Sequence, residues 1–194
     1  MAASRARMFL SQFLRSPRAV GAVLPSSGRL AEAMVAPIDF ATALNIVEFG
    51  PGTGPFTARI AERLTPRHRY IGIEANAQFC RHLAAAFPAL RFVNTGAERV
   101  AEVLADNGMG AADAIVCGLP WASLPIELQD AIFAQMGRCL HAGSVFVTFG
   151  YLQGLCLPGA WALRRRLRRE FSGVTRTPVV WTNMPPAFTY ACRK

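Results

Sequence analysis

The stretch Val47-Glu48-Phe49-Gly50-Pro51-Gly52-Thr53-Gly54 (VEFGPGTG) places an acid and three glycines between an apolar run and a helix-like one. Residues 44–50 are typical of a buried strand, and residues 55–64 have the spacing of a helix. Glycines at such a junction let the turn adopt positive φ and let a ligand lie against the backbone. The stretch therefore predicts a ligand site at the carboxyl end of the first strand of a parallel sheet.

Strand-like and helix-like segments alternate along the rest of the chain. Strands are predicted at 44–50, 69–74, 90–94, 112–118 and 144–150, and helices at 55–64, 77–86, 97–106 and 125–140. This alternation is typical of a parallel sheet covered by helices on both faces. The tail differs, because residues 174–183 and 187–193 are strand-like with no helix between them. We predict an α/β fold with a terminal antiparallel pair added to a mostly parallel sheet.

The composition indicates one globular domain. The chain has 194 residues, of which 52% are hydrophobic and 17% charged, so it can bury a substantial core. No apolar run reaches the roughly 18 residues of a membrane-spanning helix, and no secretory signal is recognised. Five cysteines without a C-x-x-C pair disfavour a disulfide framework and a zinc site. We predict a cytoplasmic protein with buried, reduced thiols and no metal.

The charge balance indicates an anionic partner. The net charge is +9, and Lys194 is the only lysine, so arginine supplies nearly all of the positive charge. Both nucleic acid and an anionic lipid surface attract such a protein. Charge alone does not choose between them.

Acids placed around the glycine loop indicate the ligand. Glu48 before the loop suits a cationic ligand better than a pyrophosphate. Glu74 ends the second strand, about 20 residues beyond the loop, where a carboxylate can accept both hydroxyls of a ribose. The pattern of Glu48, Gly50, Gly52, Gly54 and Glu74 resembles that of class I methyltransferases, which bind S-adenosylmethionine. By the same resemblance, either Glu98 after the third strand or backbone amides there contact the adenine.

The loop after the fourth strand indicates what is methylated. In amine and adenine methyltransferases this loop holds the acceptor nitrogen. Many nucleic-acid adenine enzymes have Asn-x-Pro-aromatic there, whereas this chain has Gly118, Leu119, Pro120 and Trp121. Without the Asn side chain, only backbone carbonyls are left to accept from a substrate N–H, and Pro120 restricts their direction.

Four stretches together resemble the small bacterial phospholipid N-methyltransferases. They are AVGAVLPSSGRLAEAM (19–34), IVEFGPGTG (46–54), GLPW (118–121) and VVWTNMPPAFTY (179–190). The resemblance implies a Rossmann-like class I fold with a seven-stranded sheet, and successive methylation of phosphatidylethanolamine to phosphatidylcholine. It also implies that the cofactor is held by Glu48, Gly50, Gly52 and Glu74.

Two alternatives belong to other classes. The family is similar to ribosomal RNA adenine dimethyltransferases, but Gly118 replaces their Asn and no C-terminal helical domain is predicted that could bind RNA. A non-catalytic protein of the same fold would also bind membranes or RNA, but its cofactor loop would be expected to decay. We therefore expect no nucleic-acid partner.

Residues 1–18 are predicted to form an amphipathic membrane-contact helix, followed by a methyltransferase domain at 19–194. The apolar positions of this helix are Phe9, Leu10, Phe13 and Leu14, and its basic positions include Arg5 and Arg7. Such a helix suits the headgroup region of an anionic bilayer. The basic run 164–169 is either a second lipid contact or a solvated helix face.

Aromatic side chains are the predicted contacts of the acceptor amine. Trp121, Tyr151 and Trp181 could hold its cationic states by cation–π contact. No general base is identified, because the three histidines occupy positions that seldom face the cofactor. We predict a protein that is monomeric in solution and associates peripherally with the inner face of the cell membrane, where phosphatidylethanolamine is its substrate.

Overall fold

The structure is a computed structural model that describes residues 26–194. Its helices are α1 (Gly28–Val35), α2 (Pro55–Ala61), α3 (Ala77–Ala86), α4 (Val100–Asp106), α5 (Ile126–Cys139) and α6 (Pro158–Glu170). Its strands are β1 (Asn45–Phe49), β2 (Arg69–Ile73), β3 (Arg91–Val93), β4 (Ala112–Cys117), β5 (Leu140–Tyr151), β6 (Gly173–Arg176) and β7 (Ala187–Arg193). Short 3-10 helices lie at Ala97–Arg99, Trp121–Ser123 and Leu152–Cys156.

The strands form one seven-stranded sheet in the order β3-β2-β1-β4-β5-β7-β6. Strands β1 to β5 are parallel, and β7 pairs antiparallel with both β5 and β6. The predicted Rossmann-like fold with its C-terminal antiparallel pair is confirmed. The strand order reverses between β1 and β4, so the crevice for a ligand lies beyond the carboxyl ends of these strands.

The central strands are apolar because both faces of the sheet are covered. Val47 and Phe49 of β1 pack into one core cluster, whereas Ile46 packs into the other. Alternation along the strand sends neighbouring side chains to opposite faces. A strand buried on both faces is therefore mostly apolar, and in β1 Glu48 is the one charged residue that interrupts the apolar positions.

Helix starts follow local chemistry. The Asn76 side chain accepts hydrogen bonds from the backbone N–H groups of Gln78 and Phe79, which begins α3 where the sequence predicted it. Helix α6 contains the basic run 164–169, for which a helix face was one of the two predicted alternatives. It begins with Pro158 and buries Leu163 and Leu167 against the core, so much of the basic run 164–169 is a helix surface.

The tail corrects one predicted strand. Residues 174–183 were expected to be extended throughout, but β6 ends at Arg176 and Val180 makes only an isolated bridge with Ala187. Pro178 has no N–H to donate, so the ladder cannot continue through it. The loop that results returns to the carboxyl end of β5, where the Leu152 N–H donates to the Pro186 carbonyl at 2.8 Å.

The predicted amphipathic helix and the domain boundary at residue 18 lie outside the described residues. Within residues 26–194, no helix is both long enough and apolar enough to cross a membrane.

Candidate active site

A cavity of about 170 Å³ lies beyond the carboxyl ends of β1 and β2. Its wall comes from the glycine loop, the end of β2 and the loops after β3 and β4. The lining residues include Gly50, Gly52, Glu74, Thr95, Ala97, Gly118, Leu119, Pro120 and Tyr151. The structure therefore brings the predicted cofactor loop and the predicted acceptor loop to one cavity, which we call the first cavity.

The glycine loop requires its glycines. Gly50, Gly52 and Gly54 have φ of 62°, 60° and 87°, a region that other residues rarely adopt. A Cβ on Gly50 would also lie 2.7 Å from Cδ2 of Leu119. The positive φ at all three positions, together with the close approach of Leu119 at Gly50, therefore accounts for the glycines.

Glu74 fastens the glycine loop to the end of β2. Its Oε2 accepts from the Gly52 N–H at 3.0 Å, and its Oε1 accepts from the Asn76 N–H at 2.7 Å. Burial raises the pKa of this carboxyl, and the two backbone N–H groups act in the opposite direction. Each oxygen keeps a further lone pair, so the side chain can also accept ligand hydroxyls, as predicted for a ribose.

Glu48 occupies a different place from the one predicted. Its side chain is completely buried and does not line the first cavity. Its Oε2 accepts from the Tyr70 hydroxyl at 2.5 Å and from the Thr57 hydroxyl at 2.9 Å. Because Thr57 belongs to α2, we correct the role of Glu48 from ligand contact to a support that ties β1 to the helix after the glycine loop.

The buried position of Glu48 predicts a pH effect on stability. Burial, the largest cause, raises its pKa from 4.5 to about 7, so the fold binds this proton more tightly than the unfolded chain. The resulting stabilisation is complete below pH 4.5 and is lost as the pH rises through 7. Between pH 4.5 and 7 the original protein should therefore lose about 3 kcal/mol of its free energy of unfolding through Glu48, and Glu48→Gln should not show this loss. Urea unfolding at a series of pH values measures this decline.

The control is Glu127→Gln, because Glu127 is an exposed acid on α5. Its pH profile should match that of the original protein. If the free energy of unfolding of Glu48→Gln depends on pH as in the original protein, Glu48 is ionised inside the fold, and the protonated state assigned to it is wrong.

Thr95, and not Glu98, lies on the cavity wall after β3. Glu98 is absent from the lining residues, and its carboxylate folds back over Gly96. Thr95 is buried, and its Oγ1 has no hydrogen-bond partner among the described residues. A buried hydroxyl without a protein partner is free to bond an ordered water or a ligand. Thr95, which sequence reasoning missed although it directly precedes Gly96, is therefore the candidate side-chain contact of a ligand after β3, and Glu98 is not.

A second cavity of about 150 Å³ adjoins the first. The two share Leu119, Pro120, Phe149 and Tyr151. The remaining wall of the second cavity includes Trp121, Gly150, Leu163, Phe188 and Tyr190. Among the described residues that line it there is no Asp, Glu, His, Lys or Arg. This aromatic cavity therefore suits an amine held by cation–π contact rather than by an ion pair.

Gly118 is where the two loops come closest. Its N–H donates to the Phe49 carbonyl at 2.8 Å. A Cβ at this position would lie 2.8 Å from the carbonyl oxygen of Gly50, which is backbone and cannot rotate away. The glycine that replaces the Asn of adenine methyltransferases is therefore required by packing, and an Asn side chain does not fit this loop.

The three predicted aromatic contacts differ in position. Tyr151 lines both cavities. Trp121 lines only the second, is 3% exposed, and donates from Nε1 to the Thr148 hydroxyl at 2.9 Å. Trp181 lines neither cavity and is 71% exposed, so its predicted contact with the acceptor amine is corrected.

The histidines lie away from both cavities. His141 contacts Asp113 at 2.8 Å, His68 contacts the Phe40 carbonyl, and His82 is an exposed residue of α3. Among residues 26–194, no group of three or more His, Cys, Asp or Glu side chains could hold a metal ion. The structure thus offers no histidine base for the acceptor amine within the described residues.

Comparison with known proteins agrees with this geometry. No protein-family model matches the chain. NodS, an N-methyltransferase from Bradyrhizobium japonicum, superposes with a TM-score of 0.65 at 13% identity, covering 86% of this chain and 94% of that one. An O-methyltransferase from Bacillus cereus in complex with SAH has a TM-score of 0.63 at 18% identity, covering 96% and 91%. At these identities the superpositions show the fold.

One relative is similar in sequence as well. Ornithine lipid N-methyltransferase of Singulisphaera acidiphila is 32% identical over 189 residues, which cover 96% of this chain and 94% of that protein. An alignment of this extent includes both the glycine loop and the acceptor loop. The protein therefore belongs to the family of class I S-adenosylmethionine-dependent N-methyltransferases that includes ornithine lipid N-methyltransferase.

Proposed function

We propose that this protein transfers methyl groups from S-adenosylmethionine to the amine of phosphatidylethanolamine and of its mono- and dimethyl forms, leading to phosphatidylcholine. The observation that carries the proposal is the second cavity, which is aromatic, has no Asp, Glu, His, Lys or Arg in its described wall and adjoins the first cavity. The similarity to an enzyme named for a lipid amine supports a lipid acceptor. The four stretches resembling phospholipid N-methyltransferases support phosphatidylethanolamine in particular.

The first cavity fits the cofactor of this family. Glu74 would accept hydrogen bonds from the ribose hydroxyls, and the backbone of the glycine loop would lie against the cofactor. The unpartnered hydroxyl of Thr95 would contact the adenine. When bound, S-adenosylmethionine supplies an electrophilic methyl group attached to a sulfonium.

The wall between the two cavities orients the amine. Backbone carbonyls of residues 118–120 are the proposed hydrogen-bond acceptors, and the Tyr151 ring contacts the cationic states of the amine. The amine must lose a proton before it can accept a methyl group. Because no acid or histidine lines the described wall, we assign this proton to water or to the lipid phosphate.

Exposed apolar side chains near the second cavity favour a lipid surface. Leu157, Trp161 and Met184 are 54%, 67% and 69% exposed. Trp161 follows Ala160, which lines the cavity, and Leu157 directly precedes α6. The Leu152 N–H, just after β5, donates to the Pro186 carbonyl in the loop that carries Met184. Large exposed apolar side chains grouped in this way mark interaction sites. We propose peripheral association with the inner face of the cell membrane.

A methyl-transfer assay tests the function. Purified protein is mixed with methyl-labelled S-adenosylmethionine and, separately, with vesicles of phosphatidylethanolamine, vesicles of ornithine lipid and undermethylated ribosomal RNA. We expect label in the phosphatidylethanolamine. Ornithine lipid is the second candidate substrate, which the relative suggests. Label only in ornithine lipid would show that it, and not phosphatidylethanolamine, is the substrate. Label only in RNA would overturn lipid methylation.

Deleting residues 1–15 should abolish sedimentation with anionic vesicles. Each basic residue near such a surface contributes only about 1 kcal/mol, so binding needs the apolar positions as well. The cofactor site should survive, because its described residues all follow position 25. Co-sedimentation at several anionic lipid fractions, with calorimetry of cofactor binding, measures both results.

Ser11→Ala is the control, since it changes an uncharged polar residue of the predicted N-terminal helix without removing charge or apolar area. High salt should weaken binding of the full chain without eliminating it, because ions screen charge and not buried area. Equal sedimentation of the truncated and full-length proteins would show that the N-terminal segment is not the membrane anchor.

A further inference from the structure

Helix α6 carries five arginines, and they differ in their partners. Arg166 forms ion pairs with Asp130 and Glu170, and Arg169 also contacts Glu170. The other three have no carboxylate within 4.0 Å among residues 26–194; these are Arg164, Arg165 and Arg168. Residues 1–25 contain no Asp or Glu, so the N-terminal segment supplies no acid either.

A fourth arginine without an acid partner lies on the neighbouring strand. Arg176 of β6 is directly opposite Tyr190 of β7. Its Cζ lies 5.2 Å from the centroid of the Phe188 ring. Phe188 and Tyr190 both line the second cavity, so this guanidinium lies beside two residues of the cavity wall.

Arg164 and Arg168 approach the same wall from the helix. Arg164 follows Leu163, which lines the second cavity, and Arg168 lies one turn further along α6. Burial has the largest effect on the pKa of Tyr190 and raises it, whereas Arg164, Arg176 and Arg168 each act to lower it. All three therefore exert positive potential on a phenol of the cavity wall. Arg165 is not among the main charges that act on Tyr190.

We propose that Arg164, Arg168 and Arg176 form a binding site for the phosphate diester of the lipid whose amine enters the second cavity. This inference rests on the proposed function and names the part of the substrate that the amine cavity does not contact. In phosphatidylethanolamine an ethylene bridge joins the amine to the diester, so both groups must lie close to one cavity. Guanidinium groups match phosphate oxygens through paired hydrogen bonds.

The site explains why the described wall of the second cavity has no acid. A zwitterionic headgroup carries its own negative charge beside the ammonium, so the protein need not supply a carboxylate there. An anion also offsets the mutual repulsion of three unpaired guanidinium groups. An amine that lacks a neighbouring anion should consequently be a poor substrate.

The test uses monomeric substrates, which separate headgroup recognition from membrane binding. Dihexanoyl phosphatidylethanolamine carries the diester, a short-chain ornithine lipid carries a carboxylate, and N-hexanoyl ethylenediamine carries neither. Arg164→Gln and Arg176→Gln should each raise the KM for the diester substrate about tenfold, because each variant loses one charge-assisted hydrogen bond. The KM for N-hexanoyl ethylenediamine, which lacks an anionic group, should stay unchanged. Arg165→Gln is the matched control and should leave every KM unchanged.

A binding measurement keeps the test independent of turnover. Calorimetry should show that the full-length protein binds glycerophosphoethanolamine, and that a triple variant, Arg164→Gln, Arg168→Gln and Arg176→Gln, loses at least about tenfold in affinity. Unchanged cofactor affinity would show that the triple variant is folded. Equal affinity in the two proteins would overturn the phosphate site.

The remaining outcomes separate the two proposals. If the full-length protein methylates the diester substrate and the triple variant does so with the same KM, the arginine site is wrong and the amine function stands. If the variants raise the KM for the ornithine lipid alone, the site recognises a carboxylate and the phosphate assignment is wrong. If the protein methylates none of these amines, the proposed function fails, while the binding measurement still decides whether the arginines bind the diester.

Discussion

Replacing Glu74 with alanine should weaken S-adenosylmethionine binding by about 1.5–3 kcal/mol, roughly a 10- to 150-fold rise in Kd. The carboxylate accepts hydrogen bonds from the backbone N–H groups of Gly52 and Asn76. Its removal therefore releases the glycine loop and also removes the expected contact with the ribose. Calorimetry with the purified variant measures the change. Glu74→Gln should lose less, because one oxygen remains to accept.

Glu98→Ala is the matched control for Glu74. Glu98 is the acid after the next strand, but it does not line the first cavity, so its removal should leave the Kd unchanged. Thermal unfolding without cofactor identifies a variant that is merely unfolded. An unchanged Kd in a folded Glu74→Ala protein would remove the ribose assignment, and a raised Kd in Glu98→Ala would return the adenine contact to that residue.

Replacing Gly118 with alanine should lower turnover by about 100-fold, the cost of misplacing reacting groups by an ångström. The new Cβ would lie 2.8 Å from the Gly50 carbonyl oxygen, so the cofactor loop and the acceptor loop must move apart. Overpacking of this kind should also reduce the free energy of unfolding by about 1–3 kcal/mol. Gly118→Asn should be worse, although it introduces the residue found in adenine methyltransferases.

Gly137→Ala provides the comparison for Gly118. Gly137 lies in helix α5, and a Cβ there would meet no atom within 4 Å. Alanine should therefore leave turnover unchanged and raise the free energy of unfolding by about 0.5–1 kcal/mol, because glycine weakens a helix. Full turnover by Gly118→Ala would contradict the close approach of the two loops.

The sequence by itself determined the parts of this protein that depend on local patterns. Apolar runs separated by helix-spaced segments specify strands buried on both faces, and this was sufficient for the parallel sheet. Three glycines at a strand–helix junction specify backbone with positive φ whatever surrounds them, and all three have it. Glu74 was placed correctly on the cavity because it ends the strand beside β1, where the sheet order reverses.

Only the tertiary structure decided the role of Glu48. The residue is directly opposite Gly72 in the pairing of β1 with β2, and a Cβ on Gly72 would lie 2.9 Å from the Tyr70 hydroxyl. The missing side chain lets that hydroxyl reach Glu48, which then lies inside the fold instead of facing a ligand. Neither the pairing register nor the space above Gly72 is recorded in the local sequence.

The second cavity was likewise decided by tertiary structure. Trp121 and Phe188 are far apart in the chain, and the pairing of β7 with β5 places Phe188 on the same wall. Arg176 faces this wall because β6 pairs with β7, whereas the sequence shows it only as one of many arginines. Long-range pairing determines which side chains share a cavity, because local periodicity specifies the face of a strand but not its neighbours.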